Sequence, residues 1–411
     1  MIISLKKAPN FLIFFSTFVY VARLPYFTFL ILISVFLIFF IYIFSSRERS
    51  IHISFELLFL FLFLFCFLCR VIFSFIFSGN FESYYIFNIV VFSVYCFSLC
   101  LFNQESAVSI SSGVFWAIIV TIIISIFESS TGIHMPTSRY SDANSVTFGW
   151  EYFRPTAFYY NENDMINALV CMVPFSFLYA KNELCRLSIL LGLLVLSIYI
   201  ASKAAMLTVL IYIMVSCFYL FSRGYISRIR TVMYFLSVCV SVFYFLNYID
   251  RKYLNDAMSR MYDFMNSLNS SGYDGSTDER MEIYHASISY FSDSISRLLI
   301  GVGSFDGYNE YVKFFYNLRF GDFHNLLFEV ITITGLMGLF ILFSSYNVLF
   351  IKVLKMRCDF QYYIISLMLA YPLITSFGSS SVLRFPSLFM IIAFSSFFYM
   401  EISKANGDVN E

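Results

Sequence analysis

Apolar runs of about twenty residues alternate with short polar connections along most of this 411-residue chain. Each run is long enough to cross a hydrocarbon core of about 30 Å as a helix. The pattern predicts an all-α, polytopic integral membrane protein with about twelve transmembrane helices. They lie near 10–22, 25–44, 53–77, 84–102, 107–127, 163–180, 187–201, 204–222, 231–248, 325–350, 361–377 and 385–400. The first and seventh are short for a full crossing. No repeat of fixed period occurs, and the two halves do not mirror each other in Gly or Pro breaks as an inverted-repeat transporter would.

Two polar segments interrupt this pattern. The first, 128–162, reads ESSTGIHMPTSRYSDANSVTFGWEYFRPTAFYYNEN. The second, 249–323, separates the ninth and tenth spans, so the chain divides into 1–248, a large loop 249–323, and 324–411. Within that loop a helix is expected, capped by Asp278, with Met281, Ile283, Tyr284, Ile288, Tyr290 and Phe291 on its apolar side. A long insertion with its own periodicity points to a functional element more than to a linker.

Composition agrees with the pattern. The chain is 60% hydrophobic and 13% charged, against roughly 25% charged in soluble domains. Its formal net charge is zero and gives no sign of a nucleic-acid partner; the location of the charges says more. With the N-terminus inside, the inner segments hold Lys6, Lys7, Arg47, Arg49, Lys181, Arg186, Arg223, Arg228, Arg230, Lys352, Lys355, Arg357 and Lys404. The short outer connections hold only Arg23, Lys203 and Arg384. This asymmetry puts both termini in the cytoplasm and both long loops outside. The first apolar run is followed by Arg23-Leu24-Pro25, not by a small-residue cleavage site. The nine cysteines avoid the two long loops, and Cys66 and Cys69 stand in a run of Phe and Leu. They read as small buried hydrophobes before a redox or metal pair.

Candidate chemistry gathers at the outer side. In FGDFHNLLFE, Phe320 to Glu329, Asp322 is a candidate N-cap and His324 would then stand in the first turn of the tenth span. The positive end of a helix dipole disfavours a charged imidazole, and a neutral imidazole at the membrane surface is what a general base requires. An interfacial histidine that only anchors the helix is the competing reading. Asn325 and Glu329, four apart, share a face, and Glu329 lies a turn inside the membrane, where a carboxylate is seldom unpaired. Arg154, Arg280, Arg319, Lys203 and Arg384 can all reach the outer face. Guanidinium forks suit phosphate without a metal. Arg70 interrupts an apolar span about 10 Å below its outer end and is either functional or snorkelling. Tyr248, Tyr253, Tyr262, Tyr273, Tyr284, Tyr290, Tyr308, Tyr311 and Tyr316 crowd the second loop, as sugar platforms or as an aromatic belt. No Walker A, HExxH or GxSxG sequence occurs, and GVGSFDG, Gly301 to Gly307, reads as a turn.

In order along the chain, four pieces resemble the bacterial O-antigen polymerase and O-antigen ligase superfamily. RPTAFYYNENDMINAL resembles an Arg-x-x-Gly…Asn-x-Asn segment before a span, with Arg154 and Asn163 at matching positions. ASKAAML resembles a Ser-Arg-small turn, with Lys203 in place of arginine. DERMEIYHASISYFSDSISRLLIGVGSF resembles a helix led by an arginine, here Arg280, and closed by a Gly-Val-Gly turn. FHNLLFEVITITGLMGLF resembles a His-Asn…Gly-x-x-Gly span. Ala157 stands where glycine is usual, and Glu162 where proline is common.

The resemblance implies a glycosyltransferase of the bacterial inner membrane, active on its periplasmic side, whose donor is a glycan on undecaprenyl pyrophosphate. It implies inversion at the sugar and no metal or other cofactor. Arg154 and Arg280 would hold the pyrophosphate, and His324 would deprotonate the acceptor hydroxyl. Asn325, Arg319, Lys203, Asn163, Arg384, Glu329 and Arg70 would contact substrate. Membrane lipid, a chain-length regulator and a flippase of the same pathway are the expected partners. The aromatic-rich, sparsely charged composition favours an O-antigen or capsule polymerase. A ligase acting on the lipid A core, and a flippase for the same lipid-linked sugar, are the alternatives. The mostly unbroken spans speak against the flippase.

Overall fold

The structure is a computed structural model that describes residues 8–44, 53–79, 83–101, 106–141, 153–222, 275–316, 325–356, 361–377 and 387–405. Among these residues the regular elements are helices, with no strand. Before the large loop come α1 (Ala8–Ala22), α2 (Phe27–Phe44), α3 (Phe55–Ser78), α4 (Ser83–Cys100), α5 (Ser106–Thr131), α6 (Glu162–Ser176), α7 (Glu183–Ile200) and α8 (Lys203–Ser222). The loop contributes α9 (Gly275–Ser292), α10 (Ile295–Ile300) and α11 (Asp306–Tyr316). The chain then continues with α12 (Leu326–Lys355), α13 (Gln361–Phe377) and α14 (Ser387–Ala405).

Every expected span except 231–248, which lies outside the described residues, is a helix. Four of them, α3, α5, α7 and α12, are long and apolar enough to cross a membrane, which makes the chain a multi-pass membrane protein. Twelve crossings go beyond what these four establish. α7 was expected to be short, yet it starts earlier, at Glu183, and reaches 18 residues. Helices form here because in hydrocarbon the backbone must satisfy its own hydrogen bonds. α3 shows how a uniformly apolar run still has an inside. Leu57, Leu60, Phe63, Leu64, Phe67 and Val71 are buried at helical spacing, whereas Phe55, Leu58, Leu62, Phe65 and Ile72 face outward.

Polar contacts between distant helices fix which ends lie together. At the start of α3 the Glu56 carboxylate, fully buried, accepts from Lys352 Nζ near the end of α12 at 2.6 Å. It also accepts from Ser396 Oγ of α14 at 2.7 Å. The first residues of α5 meet the far end of α14, where Ala107 N–H donates to Glu401 at 3.1 Å. α3 and α5 therefore run parallel, with α12 antiparallel to α3. The end of α5, the end of α3 and the start of α12 share the opposite end of the bundle, and both polar loops hang from that end.

Three local expectations change. α9 begins at Gly275, so Asp278 lies inside its first turn and is not its cap. Its buried face is Ile283, Ala286, Ser287, Tyr290 and Phe291, while Ile288 is exposed. The tenth span is not continuous: α12 is broken at Gly335 (φ 69°, ψ −172°), and proline interrupts α6 at Pro174 and α13 at Pro372. The expectation of mostly unbroken spans therefore fails at α12, the span that follows the large loop.

Removing one partner from a buried ion pair strands the other charge, at about 3–5 kcal/mol. Lys352→Met should accordingly lower the thermal unfolding temperature of the purified protein sharply. Glu56→Gln combined with Lys352→Met should recover most of that loss. Equal unfolding temperatures for all three proteins would show that the pair fastens nothing.

Candidate functional site

The loop between α5 and α6 is built around one carboxylate. Glu128, in the last turn of α5, is fully buried. Its Oε1 accepts from Met135 N–H at 2.9 Å, and its Oε2 accepts from the N–H groups of Thr156 and Ala157 at 2.7 Å each. His134 Nδ1 lies 3.8 Å from the same Oε2. A carboxylate with backbone donors from both arms of a loop is a clamp. It also accounts for Ala157, where the resemblance calls for glycine. Ala157 has φ 47°, a left-handed conformation that favours glycine, and it is held there while presenting its N–H to Glu128.

A second carboxylate gathers the basic groups. Glu162, at the start of α6, is 1% exposed. Its Oε1 accepts from Arg139 at 2.8 Å and from Arg154 at 3.3 Å, and the Tyr140 hydroxyl lies 3.4 Å from Oε2. Arg139 also donates to the Tyr140 hydroxyl. Burial, and then the Glu162 charge, push that phenol up to about 12, a shift eased by Arg139, so the hydroxyl remains a donor. Arg154 is itself 5% exposed. Arg139, with a side chain 34% exposed, is the guanidinium of this pair that reaches the surface. Asn161 caps α6 by accepting from Asp164 N–H at 2.8 Å, which leaves Asn163 half-buried in the first turn. The Tyr199 hydroxyl of α7 donates to Phe153 O at 3.2 Å. That bond brings the left-handed Ala201 turn and Lys203, at the start of α8, to the side of the loop that carries Arg154.

The large loop is fixed by a different device. Gly301 and Gly303 (φ 71° and 83°) wedge between α3 and α12. A Cβ on Gly301 would stand 2.5 Å from Ile333 O and 2.6 Å from Gly335 N, and one on Gly303 would stand 2.8 Å from Ser74 Cβ. Val302 N–H donates to Thr332 O at 2.6 Å, and Arg70 donates to Gly301 O at 2.6 Å. The turn read from the sequence is therefore present. Arg70 serves it as a backbone donor, with its guanidinium 5.4 Å from the Phe73 ring centre.

At the start of α12, Asn325 is the cap, accepting from Leu327 N–H at 2.9 Å. Asp322 is thus not the N-cap, and His324 precedes the helix instead of lying in its first turn. Glu329 is buried, and its N–H donates to Asn325 O at 3.1 Å. Asn325, Leu326 and Leu327 border an apolar cavity of about 130 Å³ that continues along Leu342, Tyr346 and Tyr371.

The structure places Arg154 beside Glu162, Asn163 in the same helical turn, and Lys203 nearby through α7. It places Arg70, Asn325 and Glu329 around the two halves of α12. His324, Arg319 and Arg384 lie outside the described residues, and of Arg280 only its place in α9 is described. Sequence reading missed Arg139, Glu128 and Glu162 as organising residues. The available signal was that Glu128 and Glu162 bound the loop and Arg139 and Arg154 lie between them.

Glu128→Ala would leave three backbone N–H groups without their acceptor, at about 1–3 kcal/mol each. Limited proteolysis should then cut within 132–141 or 153–160 faster than it cuts the parent there. Ala157→Gly should raise the unfolding temperature by relieving a left-handed conformation worth roughly 1–2 kcal/mol.

Comparison with known proteins adds one finding. A protein-family model described as O-Antigen ligase matches residues 187–343. No curated protein and no solved structure matches the chain. The matched stretch runs from α7 into α12 and takes in Lys203, α9, the Gly301–Gly303 turn and the Asn325 cap; Arg70 and the Arg154 segment precede it. Residues 187–343 are thus similar to the O-antigen ligase family.

Proposed function

We propose that the protein transfers a glycan from undecaprenyl pyrophosphate to a second lipid-linked repeat unit, at the periplasmic face of the bacterial inner membrane. The observation that carries this reading is the family match over 187–343, a stretch that takes in Lys203, Arg280, Arg319, His324, Asn325 and Glu329 among the residues expected to contact donor or acceptor. In the reaction the acceptor hydroxyl oxygen bonds to the anomeric carbon from the side opposite the pyrophosphate. The bond from that carbon to the pyrophosphate oxygen breaks, and inversion follows.

Each group has an assigned part. His324 takes the hydroxyl proton. Arg280 meets the charge that builds on the leaving pyrophosphate, and Arg319 and Arg384 contact the substrate, a stabilisation that needs no metal ion. Arg154, behind Glu162, holds the loop and its potential, and Lys203 and Asn163 border the same loop. Arg139, on the same carboxylate, meets solvent. Asn325 and Glu329 contact the acceptor, and the apolar cavity that Asn325 borders, lined by Leu326, Leu327, Leu342 and Tyr346, suits an isoprenoid tail. A chain-length regulator and the pathway's flippase would act on the same carrier lipid.

A second reading, transfer to the lipid A core, is favoured by the description of the matching family as a ligase. A flippase loses support because the break in α12 is filled by the packed Gly301–Gly303 turn instead of opening on a cavity lined with charges.

His324→Ala and Arg280→Ala should each lower turnover about 10²–10⁴-fold and remove long-chain polysaccharide while leaving protein abundance unchanged. Gels of polysaccharide from a deletion strain carrying each variant read this directly, and normal ladders from both would reject the assignment. The deletion strain itself separates the readings. One repeat on the core marks a lost polymerase, bare core with lipid-linked polymer marks a lost ligase, and units stranded on the inner leaflet mark a lost flippase.

A further inference from the structure

Residues 295–303 were expected in an external loop, but their contacts put them lower. Arg70, which holds Gly301, is fourteen residues from Glu56 along α3, about 21 Å at helical rise. Gly335, against which Gly301 packs, is seventeen residues from Lys352 along α12, about 26 Å. Glu56 and Lys352 are paired, so both helices can be measured from one level. Both distances fall short of the roughly 30 Å hydrocarbon layer. The turn thus lies inside the thickness that α3 and α12 span.

Its polar groups are arranged accordingly. Irregular backbone at such depth survives only where protein satisfies it. The break at Gly335 releases Thr332 O from its helical partner, and Val302 N–H takes it at 2.6 Å. Gly301 O receives Arg70 at 2.6 Å, and Gly301 N–H closes α10 onto Arg297 O at 3.0 Å. The apolar side chains of α10 do the reverse, while Arg297 turns back to Tyr290 O at 2.7 Å and Ser296 is exposed beside Ile295. Ile295 is 76% exposed, and Leu299 and Ile300 are also exposed, a face that water would not favour next to a fully packed turn.

We propose that residues 295–303 form a re-entrant membrane segment. α10 lies within the outer half of the bilayer, with Ile295, Leu299 and Ile300 against lipid acyl chains, and Arg70 together with the broken α12 supplies its backbone partners. The occupant of this face is lipid, because the surface is apolar and sits at the depth of acyl chains. This inference is independent of the transferase reading, since it concerns where the loop sits and not what it catalyses.

Tryptophan placed in α10 of the full-length protein tests it. The parent has two tryptophans, and the emission added by Ile295→Trp or Leu299→Trp is the difference from the parent in the same vesicles. With phosphatidylcholine brominated midway along its acyl chains, the added emission should be lost, while aqueous acrylamide should barely quench it. Quenching by acrylamide and not by brominated lipid would overturn the proposal, and protection from both would assign the face to protein. Should either variant fail to reconstitute as a single species, the unaltered protein serves in its place. Photolysis in vesicles of a phospholipid with a mid-chain diazirine should then label the peptide that contains residues 295–300. An unlabelled peptide, beside labelled peptides from the exposed face of α3, would overturn the proposal equally.

Discussion

Backbone without a regular helical partner is the expensive element in a membrane protein, because each freed N–H or C=O must find protein where there is no water. The junction of Gly301 and Gly303 with α3 and the break in α12 is where this chain meets that constraint. Three close backbone approaches and two hydrogen bonds lock the large loop against two membrane helices. The first half of α12 takes its position from that lock, while Glu56 fixes the far end of α12 and α14. The half of α12 before Gly335 begins at the Asn325 cap, so the angle at which that half leaves Gly335 decides where the residues just before Asn325 are delivered.

Few charges are present, and the described ones act largely as fasteners. Glu128 binds both arms of one loop through backbone donors. Glu162 collects Arg139, Arg154 and Tyr140 at the start of α6, while Glu56 joins α3, α12 and α14 at the other end of the bundle. A carboxylate in such surroundings survives only with several partners, and each of these has them. The same logic explains Arg70. A guanidinium with many donors can serve a carbonyl that irregular backbone leaves open, where lysine offers one compact charge and a leucine offers nothing.

The helices were legible because long apolar runs have a single solution in lipid, and the ends of α3, α12 and α13 fall within a few residues of expectation. What escaped were features decided by partners far apart in sequence. A glycine inside an apolar run is usually tolerated within a helix, so nothing in ITGLMG announced that Gly335 would meet Leu299 and Ile300. Asp322 and Asn325 are both good caps, and only the geometry of the chain end selects Asn325. Ala157 signalled a positive φ only through the glycine usual at that place, because alanine itself seldom adopts one unless a neighbour such as Glu128 holds it there. Arg154 was legible as a functional candidate but not as an interior residue, since its burial depends on Glu162 and Arg139 arriving together.

These features bear on one another through α12. Its first half borders both the anchored turn and the apolar cavity that begins at Asn325, so a single short helix connects a place for an apolar chain to the loop that carries the charged groups. An amphiphile with a long tail and an anionic head has the same division along its length. If the tail lies along Leu342 and Tyr346, the head emerges beside the Asn325 cap, at the end of the bundle where Glu162 holds Arg139 toward solvent. An anchored loop helps such a reaction more than a mobile one would, because charge stabilisation is strongest when the donors are already in place. The Gly301–Gly335 contact therefore does for the large loop what Glu128 does for the smaller one. Each removes a loop's freedom beforehand, so that, under the proposed function, binding the lipid-borne substrate need not do so.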